Sequence, residues 1–186
     1  DEAGEIVVAD LARHNVDTEY VEIVPGETLT TIILLDSTGE KAIIVVPSAK
    51  SNYRPELIKQ ALRDMNYIYI WPEPRDAFVV LSRQAHENNV QVMIDVEDTA
   101  CEGPDFLEAV LPLTEIASFN YGGFGAATGF DSVSSEKLRQ LLQYGPHTVV
   151  VTNGSKGAHA VTESEEAWHH GYDVPVIDST GAGDTF

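Results

Sequence analysis

Three short apolar runs constrain the fold of this chain most: Val90–Ile94, Ile116–Phe119 and Thr148–Val151. Each is nearly continuous in apolar residues, and stretches with helical periodicity separate them. A strand that alternates apolar and polar residues has one wet face. A strand that is apolar throughout is covered on both faces, the situation of a parallel sheet with helices above and below. In such sheets ligands collect at the carboxyl ends of the strands. The polar residues at those ends are Asp95, Asn120 and Thr152.

The remaining pattern fits around this centre. Glu5–Arg13, Pro55–Arg63, Arg75–Asn88, Asp105–Leu111 and Ser134–Tyr144 read as helices. Ser134 or Ser135 serves as the N-cap of the last of these. Tyr20–Val24, Tyr67–Trp71, Ala158–Thr162 and Val174–Ile177 read as further strands. Thr30–Leu35 and Lys41–Val46 flank Asp36-Ser37-Thr38-Gly39, the signal of a hairpin. The whole chain, 1–186, reads as a single domain with a β-rich, lid-like segment around 16–46.

Composition excludes several classes. The chain carries 30 Asp and Glu against 11 Lys and Arg, a formal charge of −19. That surface repels nucleic acid and anionic membranes. No run of about 18 apolar residues marks a membrane span, and the first residues have no signal-peptide pattern. The single cysteine, Cys101, forms no internal disulfide and suits a cytoplasmic setting. Adjacent histidines such as His169 and His170 point to opposite faces of a strand and do not make a metal site. His86 and His159 read as structural. Gly123–Gly129 has the wrong spacing for a dinucleotide fingerprint and reads as a turn or helix start.

The most informative segment is Asp178-Ser179-Thr180-Gly181-Ala182-Gly183-Asp184-Thr185-Phe186. Small residues let backbone N–H groups crowd around one point, and a helix beginning there adds unpaired amides that favour an anion. A carboxylate stands at the mouth, suited to accept the proton of an attacking hydroxyl. By itself a Gly-x-Gly-Asp turn is more often a plain strand-to-helix connection. The longer string resembles the signature of the ribokinase-like (PfkB) carbohydrate kinases, Asp-[Thr/Ser]-Thr-Gly-Ala-Gly-Asp-x-Phe. Asp1–Gly4, Asn15–Asp17, the hairpin through Lys41 and Val149–Gly157 are also similar to that family's segments.

This resemblance implies a three-layer α/β/α sandwich with a small β lid, and phosphate transfer from ATP to an alcohol, above all that of a sugar. It implies that Asp184 is the general base and that Gly181, Ala182 and Gly183 form the anion hole. Thr152, Asn153, Gly154, Ser155, Lys156 and Gly157 would border the nucleotide, with Asn120 near its phosphates and Mg2+. Asp178 and Thr180 would contribute to a site for a monovalent cation such as K+. The family's lids often pair, which implies a homodimer. The resemblance also implies that the chain is a fragment, lacking sugar contacts that precede Asp1 and helix that follows Phe186. Alone, it is then expected to be poorly stable and inactive.

Two departures stand out. Asp95-Val96-Glu97 replaces Asp-x-Asn, and Gly123 replaces the acid of Asn-x-x-Glu. These favour an alternative, a non-catalytic relative that binds nucleotide or sugar without transfer; an oxidoreductase is more distant. Glu97 or Glu115 are the candidates to compensate for Gly123. On this reading, Gly123→Glu lowers the magnesium requirement.

Overall fold

The computed structural model describes residues 1–35, 41–46, 54–100, 104–176 and 179–186. They fall into two compact units, Asp1–Leu57 and Ile58–Phe186. In the first, helix α1 (Glu2–Arg13) starts three residues earlier than its apolar pattern suggests, because Asp1 caps it. The Asp1 carboxylate accepts the Gly4 N–H at 2.9 Å and the Thr28 N–H and hydroxyl at 2.8 and 2.7 Å. Strands β1 (Thr30–Leu35) and β2 (Lys41–Val46) pair antiparallel, Thr30 opposite Val46 and Leu35 opposite Lys41. The hairpin is as expected, although its connection, Asp36–Glu40, lies outside the described residues. Tyr20–Val24 forms no strand. Asp17 accepts the Glu19 N–H and Val21 N–H closes a turn on Thr18, so the backbone bonds locally instead of along a ladder.

Helix α2 (Pro55–Ala61) and a 3-10 turn lead into the second unit. There β3 (Tyr67–Tyr69), α3 (Arg75–Glu87), β4 (Gln91–Val96), α4 (Pro104–Val110), β5 (Ile116–Asn120), α5 (Tyr121–Thr128), α6 (Ser135–Leu142), β6 (Thr148–Thr152), β7 (Ala158–Val161) and β8 (Glu166–His169) follow one another. The sheet order is β3-β4-β5-β6-β7-β8. Strands β3 to β6 are parallel as expected, but β7 and β8 return antiparallel, so the sheet is mixed. Right-handed crossovers between strands laid down in one direction put every connecting helix on the same face.

That face holds the core. Val92, Ile94, Val96, Ala117, Phe119, Val149 and Val151 are buried together with Phe78, Phe106, Phe124 and Leu138 from the helices. The opposite face carries Tyr69, Met93, Asp95, Ser118, Asn120 and Thr152, because strand residues alternate sides. Val174–Val176 forms no strand. Strand β8 carries no apolar run; it is an exposed edge set by the Thr162–Glu165 turn, where Thr162 N–H donates to the Glu165 carbonyl at 2.9 Å.

Glu115 lies just before β5, at the amino end of the sheet. Its carboxylate accepts the Val92 N–H at 2.6 Å and sits 3.1 Å from His86 Nε2. The carboxylate joins two strands and is remote, along the strand direction, from the carboxyl ends. Glu115 therefore cannot stand in for an acid at position 123, and His86 is structural as expected. Glu115→Ala should destabilise the whole protein by about 1.5–3 kcal/mol, the worth of a charge-assisted hydrogen bond. Chemical denaturation checks this, and the magnesium dependence of any activity should stay as it is.

Candidate active site

Parallel strands end together, and here three of them end in polar residues on one face. Asp95 on β4 sits opposite Ser118 on β5, whose hydroxyl faces the carboxylate and favours its charged form. Half-burial pushes the Asp95 carboxyl above its ordinary range. The Ser118 hydroxyl and the Val96 backbone pull it back, and the nearby Asp184 carboxylate raises it further. Tyr69, at the end of β3, feels Asp95, Asp184 and Glu97. Asp184, more than 80 residues beyond Asp95 in sequence, is thus near enough to act electrostatically on both Tyr69 and Asp95.

The loop that presents Asp184 is a run of turns among the described residues. Ala182 N–H donates to Ser179, Thr185 N–H and hydroxyl both donate to the Gly181 carbonyl at 3.1 and 2.7 Å, and Phe186 N–H donates to Gly183. Gly181 has φ 76°, a conformation open to glycine at little cost. The Ala182 N–H is engaged by the turn, whereas those of Gly181 and Gly183 donate no bond among the described residues. Thr180 is exposed beside them; Asp178 lies outside the described residues.

On the other side of the strand ends, Asn120 caps α5. Its Oδ1 accepts the Gly123 N–H at 2.6 Å. Thr152 ends β6, its hydroxyl 3.4 Å from the Phe119 carbonyl. The following turn closes on itself: Gly157 accepts from Asn153 N–H at 2.8 Å, and Lys156 N–H donates to Asn153 at 2.9 Å. Gly154 and Gly157 have φ of 50° and 98°. A side chain at Gly157 would lie 2.7 Å from Gly171 N and run into the His169 carbonyl. Asn153, Lys156 and Gly157 line an open cleft of about 340 Å³ with Tyr121, His159 and Trp168. His159 itself is 3.0 Å from the Ser135 hydroxyl.

Gly123 is tighter than its neighbours in sequence suggest. A Cβ there would lie 2.8 Å from the Val96 carbonyl carbon and closer still to its oxygen. Helix α5 rests directly on the end of β4, so position 123 has no room for an acid, and Gly123→Glu does not restore a metal support there. Asp98 lies on the site side instead. Its carboxylate oxygen is 3.6 Å, and Asn120 Oδ1 is 3.5 Å, from where a Cβ on Gly122 would be. Tyr69, Asp98 and Ser118 are absent from the sequence-based set. Ser118 could have been found by its place inside an apolar strand, two residues before Asn120.

The pfkB family carbohydrate kinase model matches residues 1–186. The chain belongs to the pfkB carbohydrate kinase family. It is 27% identical to an ATP-dependent ribose-1-phosphate kinase of Halopiger xanaduensis, over 100% of this chain and 61% of that protein. Among solved structures, it resembles the adenosine kinase from Sinorhizobium meliloti (TM-score 0.85, 20% identity, 99% of this chain and 60% of that one). It also resembles the fructokinase from Vibrio cholerae O395 bound to fructose, ADP and calcium ion (TM-score 0.78, 23% identity, 99% and 64%). These likenesses establish the ribokinase-like α/β sandwich. The chain spans about 60% of the length of these relatives. Among the described residues no helix is long and apolar enough to cross a membrane, and no group of three or more His, Cys, Asp or Glu is arranged to hold a metal.

Proposed function

We propose that the protein transfers the γ-phosphate of ATP to an alcohol of a small metabolite, a sugar or a sugar-bearing nucleoside. What supports this reading is that Asp184, beside the Gly181–Gly183 turn, acts electrostatically on Tyr69 and Asp95 at the ends of β3 and β4. In this reading Asp184 accepts the proton of the acceptor hydroxyl as its oxygen bonds to the γ-phosphorus. The bond from that phosphorus to the bridging oxygen breaks and ADP leaves with the electron pair. The N–H groups of Gly181 and Gly183 face the charge that spreads over the transferred group. Ala182 N–H, tied to Ser179, contributes through the shape of the turn. Thr152–Gly157 border the nucleotide, with Lys156 as its cation.

Magnesium, when bound, shields the phosphate charge. It commonly needs only one or two protein carboxylates beside the phosphates and water. Asp98 and Asn120 suit that donor set, so the site fits a metal carried in by the nucleotide although Gly123 bears no acid. Thr180 and Asp178 are the proposed contributors to a K+ site. The homodimer is proposed through the β1–β2 hairpin, where Ile32, Leu34, Ile43 and Val45 are all exposed. The cytoplasmic setting stands with these proposals.

The test is ADP formation by the whole protein with ATP, Mg2+ and D-ribose, ribose 1-phosphate, D-fructose or adenosine. Acceptor-dependent ADP release supports transfer. Nucleotide binding without release on any acceptor would favour the non-catalytic alternative. Lys156→Ala should weaken ATP binding about 3- to 10-fold, the scale of one exposed charge contact, measured by calorimetry.

A further inference from the structure

Tyr69 has no evident duty in the fold. Its residue is 58% exposed at the end of β3, and its hydroxyl makes no hydrogen bond among the described residues. Tyr69 pairs with Met93 in the parallel register, and Asp95 lies two residues further along β4 on the same face. The ring therefore stands on the side of the sheet that carries Asp95 and Ser118, within electrostatic reach of Asp184. A phenol among carboxylates has one useful state. Partial burial, then Asp95, Asp184 and Glu97, push the Tyr69 hydroxyl above its usual pKa, which keeps its proton on at neutral pH. The carboxylates around it only accept hydrogen bonds, so the phenol is an available donor on this side of the site.

We infer that the Tyr69 hydroxyl is a substrate-binding donor that holds the acceptor alcohol in front of Asp184. The inference rests on the kinase reading. A polyol presents several oxygens. One would give its proton to Asp184, and a neighbouring oxygen would accept from Tyr69, which fixes the attacking oxygen along the line to phosphorus. A donor placed here also favours acceptors with adjacent oxygens over simple alcohols.

The experiment compares Tyr69→Phe with the unaltered whole protein, using whichever of D-ribose, ribose 1-phosphate, D-fructose and adenosine gives acceptor-dependent ADP. Phe keeps the ring, so packing is preserved. The KM for the acceptor should rise about 3- to 10-fold, the worth of one neutral hydrogen bond. The KM for ATP and the melting temperature should stay the same. An unchanged acceptor KM overturns the role of Tyr69 and leaves the kinase reading intact. So does a loss spread equally over ATP, acceptor and melting temperature, because that pattern marks a structural residue. If the unaltered protein forms no ADP with any acceptor, the kinase reading itself falls and takes this inference with it.

Discussion

Asp184→Asn in the whole protein is expected to lower kcat by about 10²–10⁴-fold, the usual contribution of a positioned general base. Asn keeps the size of the side chain and its ability to accept a hydrogen bond, but it takes up no proton. Asp184 is exposed on its turn, and its carboxylate makes no hydrogen bond that holds the loop. The turn is closed by Thr185 on the Gly181 carbonyl and by Ala182 on Ser179. The substitution should therefore leave the loop, and ATP affinity, close to their original state. Removing the Asp184 charge also removes one cause of the raised Asp95 pKa, so Asp95 should titrate lower in the variant. Steady-state kinetics with calorimetric ATP binding separates the outcomes. A variant with near-normal kcat on a verified acceptor would reduce Asp184 to a residue of the turn, and the mechanism would fail.

Parts of this site are legible in the sequence for a simple reason. Asp95, Asn120 and Thr152 each follow an apolar strand, and strands that run parallel must end at the same edge. Chain order and residue type together place them. The buried face is equally legible, since Val92, Ile94 and Val96 alternate with Met93 and Asp95. Tyr69 and Ser118 are another matter. Tyr69 sits inside a strand with no local mark, and Ser118 is marked only as a polar residue two before Asn120; the register between strands sets both beside Asp95. Strand β8 shows the same limit. Glu166–His169 is exposed at all four positions, so no hydrophobic period announces it; pairing with β7 alone defines it. Tyr20–Val24 fails in reverse, with strand periodicity but no partner. Helix starts depend on side chains just outside the periodic run, and Asp1 shifts α1 in that way.

Gly123 is where sequence comparison and packing pull in opposite directions, and it gives the second large expected effect. By resemblance the position wants an acid; by geometry it accepts no side chain at all. The atoms a Cβ would meet are backbone, the Val96 carbonyl and the Glu97 carbonyl carbon at 3.0 Å, so no rotamer change relieves the contact. Relief requires α5 to lift from the end of β4. That movement would break the Asn120 cap at 2.6 Å and disturb Phe124, which is fully buried and packs edge-on to Phe119 with ring centroids 6.2 Å apart. Overpacking of this kind costs about 3 kcal/mol, at the upper end of the ordinary range, because the neighbour is main chain. In a protein of this size the melting temperature should fall by about 6–12 °C. Gly123→Ala should produce most of that loss, and Gly123→Glu should add the cost of a carboxylate beside two carbonyls. Gly122→Ala, whose nearest contacts begin at 3.5 Å, is the matched control and should change little. Differential scanning fluorimetry of the three variants decides the matter. If Gly123→Glu melts with the unaltered protein and binds magnesium-ATP more tightly, α5 has room to move, and the missing acid was a matter of sequence alone.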